Sequence, residues 1–456
     1  MAVRGWLIGG GLVAALGLAG FLFWRGPVAD TTEAALRAFP VYSFVRTRNE
    51  QLLRIAHVLG EETDAARPRG LGLLVHRDSL ATPRDRAVTT PNNDTLYSTA
   101  FVSFGDGWTI DIPAVEDRYV SVAVMDANTD HAVVAGTRDG TQSPQRLTLA
   151  HGPGCKASSG DEAATRTICV PTDEAWILVR VEAKGPDDLD AARAVQRAIS
   201  LGPAPPGAAA APAPAIEPVL LPAVPDPAML LRRANPVIAR NPTLADERLA
   251  ATGYGQGAQA FDALPAWRQW LWRLLWPRIV ERMKTGISAG SRVTGDGWSR
   301  SPPGIGTAAA TPAVRAAVAL GGLAALPADE AVYWSATVDS QGRELDGANR
   351  YRLRIPEPVP ADAFWSLTLY QRLPDGRLFF IDNPLDRYAI GNRTPGLVRD
   401  ADGTLSITLA AADPGQGAIW LPMPQAGPFT LVFRAYRPQA PIRDGKWRLP
   451  PVERLP

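Results

Sequence analysis

The sequence has almost no net charge, few histidines and only two cysteines. Its 456 residues carry 47 Lys and Arg against 46 Asp and Glu, which leaves a formal net charge of +1. Because phosphate binding needs a clear basic excess or patch, we expect no nucleic-acid partner. The four histidines and two thiols show no spacing typical of metal ligands, so we expect no metal site and no cofactor.

The familiar catalytic motifs are missing or stand in the wrong context. The glycine-rich strings at residues 70–72 and 105–107 lack the Lys-Ser/Thr pair or the third glycine of a phosphate loop. One G-x-S-x-G string surrounds Ser288, but a helical pattern precedes it where a nucleophile elbow needs a strand. We therefore assign no catalytic residue, and the sequence leaves open whether the protein is an enzyme.

One long uncharged run is present, at the N-terminus. Residues 6–24 contain no charged side chain, have a tryptophan at each end, and are flanked by Arg4 and Arg25. About 20 apolar residues cross the hydrocarbon core of a bilayer, and tryptophan suits both interfaces. A cleaved signal peptide, the alternative, has a shorter apolar core and small residues at its cleavage site. We therefore expect an uncleaved transmembrane helix within residues 1–30.

The two cysteines give information on the cellular compartment in which the body of the protein lies. Cys155 and Cys169 lie close together in a segment rich in Gly, Ser and Thr. Such a pair can close a loop by a disulfide in an oxidising compartment, and two unpaired thiols are the alternative. We expect the disulfide, which agrees with a membrane-anchored protein whose body lies on the periplasmic or extracellular side.

The rest of the chain alternates between helical and strand-like patterns. Residues 31–65 read as a helical neck that stands the body off the bilayer. Residues 66–201 and 331–456 consist of short apolar runs with a two-residue period, which indicates half-buried strands. An Ala/Pro-rich linker at 202–227 and a helical connecting region at 228–330 join them. The expected fold is mainly β (α+β), with two antiparallel β-sandwich domains behind one transmembrane helix.

A dense polar run, TPNNDTLYS at residues 90–98, is the first candidate site. Amide, carboxyl and phenol groups in this density can bind or process a polar ligand. Two polar residues at the end of the predicted strand RYVSVAVMD could converge on the same place. The alternative is an Asx-turn cluster, in which these side chains bond the local backbone. The candidates are Asn92, Asn93, Asp94, Tyr97, Asp126 and Asn128.

The second β block supplies aromatic and basic candidates. Aromatic faces beside arginine are what sugar rings and other flat polar ligands use. The alternative is that the large aromatics are core, where such residues usually lie. The candidate ligand contacts are Trp365, Tyr370, Arg387, Tyr388, Trp420 and Arg434.

A tryptophan-rich helix is predicted over residues 262–284. Its four tryptophans lie among arginines, which is typical of a helix resting on lipid headgroups. The other interpretation is a helix buried between the domains, with arginines reaching out at its rim. Burial is preferred, and both interpretations remain open at this point.

Two sets of motifs resemble known bacterial families. The run TPNNDTLYSTAFVSF, followed by WTIDIP, RYVSVAVMDANTD and GTRDG, resembles the family of unknown function DUF1254. The stretches DSQGRELDGANRYRLRIP, ADAFWSLTLYQ, NPLDRYAIG, IWLPMP and FRAYRP resemble its usual companion, DUF1214. The resemblance implies two jelly-roll-like β domains and a homo-oligomer. In this sequence Ile419 stands where the family commonly has Asn, and His131 where other residues are usual.

Two hypotheses about function follow. By analogy of fold, the resemblance implies a role directed at glycans, so the first is an envelope protein that binds or processes envelope glycans. The second is a non-enzymatic envelope scaffold or interaction protein, in which the polar candidates serve turns and core. The burial of the polar cluster discriminates between them: a cluster at the floor of an open pocket favours the first, and one tied off by backbone partners favours the second.

Overall fold

The structure is a computed structural model of the full chain. It describes residues 3–59, 70–86, 89–104, 107–140, 143–159, 165–204, 216, 218–290, 292–293, 296–415 and 417–456. Within these ranges the side chains of residues 3–23, 59, 159, 287–290 and 292–293 lie outside the description.

The first β domain is built from two five-stranded sheets. Its strands are β1 (Val75–Arg77), β2 (Thr95–Ser103), β3 (Trp108–Ile112), β4 (Val120–Asp126), β5 (His131–Gly136), β6 (Gln145–Ala150), β7 (Ser158–Ser159), β8 (Thr165–Cys169), β9 (Glu174–Glu182) and β10 (Ser200–Pro203). One sheet has the order β1-β2-β9-β4-β5 and the other β10-β3-β6-β8-β7. Their inner faces share one apolar core, so the two sheets form a sandwich.

The second β domain repeats this layered arrangement with unequal sheets. Its strands are β11 (Arg292–Val293), β12 (Trp298–Arg300), β13 (Ala331–Ala336), β14 (Tyr351–Ile355), β15 (Trp365–Arg372), β16 (Leu378–Phe379), β17 (Ala389–Gly391), β18 (Leu405–Ala410), β19 (Ile419–Pro422), β20 (Phe429–Tyr436) and β21 (Glu453–Arg454). The larger sheet has the order β11-β12-β13-β20-β15-β16, with β17 also on β15, and the smaller sheet is β19-β18-β14-β21. The described ladders are antiparallel except β6–β8 and β18–β19. The prediction of a mainly β, α+β fold is confirmed, and the jelly-roll arrangement stays a prediction.

Helices accompany both domains in the described part of the chain. They are α1 (Val3–Leu59), α2 (Leu189–Ala198), α3 (Pro227–Arg240), α4 (Ala260–Ala263), α5 (Ala266–Gly290), α6 (Pro312–Gly321) and α7 (Ala440–Arg443). Two of them begin at capping residues: the Met229 amide donates to the Asp226 side chain, and the Val314 amide donates to Thr311. Proline follows each cap, where its fixed φ fits the first helical turn.

The segment expected to be a neck is instead part of the core. Phe39, Tyr42 and Phe44 of α1 are fully buried in the cluster that α1 forms with α3, α5 and the outer face of the first sheet. The Phe44 ring meets Phe101 of β2 edge-on at 5.3 Å between centroids. The helical period was read correctly, but the free-standing neck is wrong, because both faces of this part of the helix find apolar partners.

The expected linker is likewise only partly separate from the body. Residues 202–203 belong to β10, and Ile216 and Leu221 are buried. The Tyr42 hydroxyl donates to the Pro222 carbonyl, and Trp276 donates to the Pro225 carbonyl. The rest of the expected linker, residues 205–215 and 217, lies outside the described residues.

Two predictions about the covalent and membrane-facing features have different outcomes. The disulfide between Cys155 and Cys169 is present and confirms the pairing. Among the residues described with their side chains, no helix is long and apolar enough to cross a membrane. The predicted anchor, residues 6–24, lies outside those residues except for Trp24.

The packing of α1 predicts the stability of two variants. Phe44→Ala should lower the free energy of unfolding by about 3–5 kcal/mol, because it opens a cavity in a fully buried cluster. Val58→Ala on the same helix should change it by less than about 0.5 kcal/mol, because Val58 is 77% exposed. Urea denaturation of the full chain measures both, and a neutral Phe44→Ala would contradict the core role of α1.

Candidate functional site

The larger sheet of the second domain has one apolar and one polar face. Along β15 and β20, alternate residues such as Leu367 and Phe433 point into the domain core. Successive strand residues point to opposite faces, so Ser366, Thr368 and Arg434 share the other face. A polar sheet face needs a partner that satisfies its hydrogen-bonding groups, and the first domain supplies that partner.

The first domain presents a matching face. On β9, Val179 and Val181 enter the core, while Arg180 points the other way, opposite Tyr97 of β2 in the ladder. Further along the same face, Trp176 and its neighbours are covered by the helices. The end of this face that carries Arg180 and Tyr97 is left to contact the second domain.

Several hydrogen bonds tie the loop before β2 to the second domain, and three of them involve Pro91, Asn92 and Asp94. The Ser366 hydroxyl donates to the Asp94 carboxyl at 2.6 Å, and the Tyr370 hydroxyl donates to the Pro91 carbonyl at 2.6 Å. The Asn92 amide donates to the Tyr436 hydroxyl at 2.9 Å. This contact region between the two facing sheets is called the seam below.

Asp94 and Arg434 are the acidic and the basic side chain at the centre of the seam. Burial raises the pKa of Asp94, while the Ser366 hydrogen bond and Arg434 oppose that rise. Arg434 donates to the Thr368 and Tyr370 hydroxyls, each at 2.8 Å. Burial works against its charge, but Tyr370, Tyr436 and Asp94 hold the pKa of Arg434 above its ordinary value. The seam thus combines a guanidinium cation with a carboxyl group biased toward its neutral form.

A second buried cation, Arg180, lies beside a group of tyrosines. Its side chain is 6% exposed, and Nη2 donates to the Ala324 carbonyl at 2.7 Å. Its Nη1 has no hydrogen-bond partner among the described residues, and its guanidinium carbon lies 5.6 Å from the centre of the Tyr97 ring. An unpaired buried donor on a cation is costly, so Nη1 is left with the capacity to donate to a further oxygen acceptor.

Tyr97 and Tyr333 lie around Arg180, and the partly accessible space beside these three side chains is called the recess below. Tyr97 and Tyr333 keep part of their surface accessible, although burial raises the pKa of Tyr333. The Tyr333 hydroxyl accepts from the Leu326 amide at 3.1 Å, and Tyr97 has no hydroxyl partner in the described part of the chain.

The rim of the seam contains further buried ionisable groups. The Tyr119 hydroxyl donates to Glu330 at 2.6 Å, and burial raises the pKa of both. Glu182 accepts from the Tyr119 amide at 2.8 Å and from Arg393 at 3.0 Å. These contacts join the two domains through groups that would lose their partners if the domains separated.

His131 also lies near Arg180 but is held by backbone. Burial lowers the pKa of His131 to about 4, so the ring is neutral near pH 7. Its Nδ1 lies 2.8 Å from the Gly306 carbonyl, which can only accept, so Nδ1 carries the proton. Residue 306 has φ +71°, and a Cβ there would lie 2.6 Å from the Ala325 carbonyl oxygen, so only glycine allows this approach.

The first set of sequence candidates divides into two places. Asn92 and Asp94 belong to the seam, and Tyr97 lines the recess beside it. Asn93 instead donates to the Ala81 carbonyl at 2.7 Å, and Asn92 also accepts from the Asp94 amide, as an Asx turn does.

Asp126 and Asn128 do not converge on this place. The ladders put Asp126 beside Ala175 and residue 95 beside Glu182, seven residues apart along β9, which is about 20 Å. Asp126 accepts from the amides of Asn128 and Asp130 in the β4–β5 turn. Burial and neighbouring Asp130 raise the pKa of Asp126 to about 7. The expected convergence is wrong, because both residues serve a turn at the far end of the sheet.

The second set of candidates is mostly structural. Trp365 is buried and stacks on Phe433 at 5.3 Å, and Tyr388 stacks on Phe380 at 4.8 Å. Trp420 donates to the Ala410 carbonyl, and Arg387 donates to the Trp420 carbonyl. Of this set, Tyr370 and Arg434 reach the seam.

Several seam residues were missed by sequence reasoning, namely Arg180, Tyr333, Ser366, Thr368 and Glu330. The strand alternation placed Arg180 within a β run but gave no reason to prefer it over other arginines. The signal that could have found it is a charged residue at the centre of a strand whose neighbours are all apolar. Such a charge must meet a partner across the sheet face.

This arrangement suits binding of a polar ligand. Asp94 can donate or accept a proton, Arg180 can bind an anionic or carbonyl oxygen, and tyrosine rings can pack on a sugar face. Among the described side chains, no group of three or more His, Cys, Asp and Glu could hold a metal ion.

The raised pKa of Asp94 predicts a pH-dependent effect of Asp94→Asn. The substitution keeps an oxygen for the Ser366 hydroxyl but removes the titration. Because the folded pKa is raised, the protonated carboxyl favours folding below the unfolded pKa, and this stabilisation is lost as pH rises through the folded pKa. The unfolding free energy of the variant, relative to wild type, should therefore rise as the pH increases above about 4, the ordinary pKa of an aspartate.

Urea denaturation at fixed salt measures the difference at each pH. The control Val58→Ala, at an exposed position without an ionisable side chain, should give a flat difference. A flat profile for Asp94→Asn as well would contradict the desolvation of Asp94.

One of two similar solved structures supports the fold. The VPA0106 protein of Vibrio parahaemolyticus is 18% identical, with a TM-score of 0.59 over 93% of this chain and 100% of that chain. An uncharacterised protein from Burkholderia cenocepacia is 13% identical, with a TM-score of 0.41 over 96% of this chain and 98% of that chain. At such identity, the first likeness shows a shared fold alone. A comparison with curated proteins finds no match.

Two family models match the two β domains. The model described as a protein of unknown function, DUF1254, matches residues 72–203. The model with the same description, DUF1214, matches residues 330–440. The matched segments coincide with the two sandwiches that meet at the seam. The chain therefore belongs to the family of proteins that combine a DUF1254 domain with a DUF1214 domain.

Proposed function

We propose that the protein binds a glycan of the bacterial cell envelope in the recess at the seam. The observation that carries this proposal is Arg180, a buried cation whose Nη1 has no partner among the described residues and lies beside accessible tyrosines. Tyrosine faces suit sugar rings, and a buried guanidinium suits a carboxylate or other anionic substituent. The ligand class is therefore an acidic saccharide.

The location in the envelope is part of the same proposal. The uncharged run at residues 6–24 supports an uncleaved anchor in the inner membrane, and the disulfide supports a body in the periplasm. In that position the recess is accessible to saccharides of the cell wall or outer membrane. A homo-oligomer stays a prediction.

A role as a non-enzymatic scaffold is the second candidate. It is favoured by the polar groups that are tied to backbone, such as Asn93 and Asp126, and by the hydrogen bonds that Asn92 and Asp94 make to the second domain. In that case the seam polar groups only join the domains. The two candidates differ in what they predict for Arg180 and Tyr97, which take no part in the hydrogen bonds that Asn92 and Asp94 make to the second domain.

Thermal unfolding of the full chain with acidic oligosaccharides tests the proposal. A ligand at 100 times its dissociation constant stabilises the native state by about 2.7 kcal/mol, so the wild-type melting temperature should rise. Arg180→Gln should abolish the rise, and Tyr97→Phe, which removes only a hydroxyl without a described partner, should reduce it.

The matched control is Arg197→Gln at an exposed position of α2, which should leave the rise intact. Absence of any rise with acidic and neutral envelope saccharides would favour the scaffold. A rise unchanged in both recess variants would place binding elsewhere and overturn the site.

A further inference from the structure

Three tryptophans form an exposed aromatic patch on the helical side of the molecule. Trp24 is 37% exposed, Trp267 38% and Trp270 53%, and neighbouring Leu274 is 44% exposed. The Trp24 ring centroid lies 5.7 Å from that of Trp267 and 6.2 Å from that of Trp270. These four residues are called the tryptophan patch. Monomeric proteins rarely expose such a contiguous apolar surface without a partner.

The rest of α5 shows that this exposure is selective. Trp272 and Trp276 are buried, and their indole N–H groups donate to the carbonyls of Thr252 and Pro225. In the described part of the chain, the indoles of Trp267 and Trp270 have no hydrogen-bond partner. The helix is therefore divided. One side of it belongs to the core, and its first turns lie at the surface.

The position of the patch identifies its occupant. Trp24 is the last residue of the uncharged run at 6–24, and α1 becomes fully packed in the body by Thr31. Phe39 of α1 lies 6.4 Å from Trp276, so α1 and α5 run in the same direction away from the patch. The patch therefore lies where the uncharged run joins the body, at the level of the first turns of α5.

The charges around the patch have a cationic excess. Arg25 and Arg273 are exposed, and the Arg268 guanidinium lies 4.5 Å from the centre of the Trp267 ring. The exposed acidic residues nearby are Asp30 and Asp262, and Asp262 pairs with Arg232 at 3.3 Å. Arginine stacked on tryptophan is suited to the phosphate layer of anionic lipids, where indole rings also partition.

We propose that the tryptophan patch rests in the headgroup layer of a phospholipid bilayer. The body is then held at the surface by Trp24, Trp267 and Trp270 at one depth, in addition to the anchor proposed above. This contact fixes how the body is oriented on the membrane. The inference rests on the envelope location proposed above and is independent of any glycan in the seam.

The test is ¹⁹F NMR of the full chain labelled with 5-fluorotryptophan in phosphatidylglycerol nanodiscs. The variants Trp267→Phe and Trp270→Phe identify the two resonances by their loss. Lipids carrying a nitroxide at the headgroup should remove most of the intensity of both signals. The resonance of Trp298, which is fully buried, is the internal control and should keep its intensity.

Each alternative occupant gives a different result. If both resonances stay sharp while the protein remains bound to the nanodisc, the patch does not touch lipid and the proposal is overturned. Resonances that shift with protein concentration but are not broadened by the lipid label would mean that a second copy covers the patch, which also overturns it. A protein that does not remain with the nanodisc at all would overturn this inference together with the membrane location, but not glycan binding.

Discussion

The hydrogen bond from Ser366 to Asp94 joins residues that are 272 positions apart and fixes how the two sandwiches meet. Ser366 lies on a polar sheet face and Asp94 in the loop before β2, and among the described residues neither side chain has a hydrogen-bond partner within its own domain. A buried polar group without a partner costs about 1–3 kcal/mol, so the faces are stable only in contact. The position of the recess beside Arg180 follows from this constraint, because the recess exists only while the two faces oppose each other.

Apolar packing stabilises the contact between the two β domains, and the polar groups fix the geometry of that contact. Phe364 and Tyr436 stack at 4.2 Å, and Tyr119 of the first domain packs against both rings. Leu326 and Ala331 complete this small cluster between the domains. Hydrophobic contact is non-directional, whereas the hydrogen bonds of residues 91–94 allow a single register. Together they hold the tyrosines of the recess at fixed positions.

Local patterns in the sequence predicted where helices and strands occur better than they predicted which of them pack against each other. Period-two alternation around Val120 and Leu353 is a property of a few adjacent residues, and the strands lie where it predicts them. The helical period of residues 31–59 is also local, but what the helix packs against is decided by β2 and α5, far along the chain. This is why the expected neck proved to be core.

The candidate site shows the same limit. The polar run at 90–98 was notable because of its composition, and Arg434 because of its motif, yet neither pattern states that they meet. Their contact depends on which sheet faces oppose each other, and single-sequence periodicity does not contain that information. The predicted convergence of Asp126 on this site was wrong for the same reason. Its place at the end of a strand does not tell at which edge of the folded sheet that strand end lies.

A double-mutant cycle across the seam tests the central claim most directly. Asp94→Ala and Ser366→Ala, alone and together, are compared by the free energy of unfolding of the full chain. The account predicts a coupling energy of about 1–3 kcal/mol, because each single variant leaves the other group buried without its partner. Additive effects within about 0.5 kcal/mol would contradict it, because two groups that do not meet would not couple.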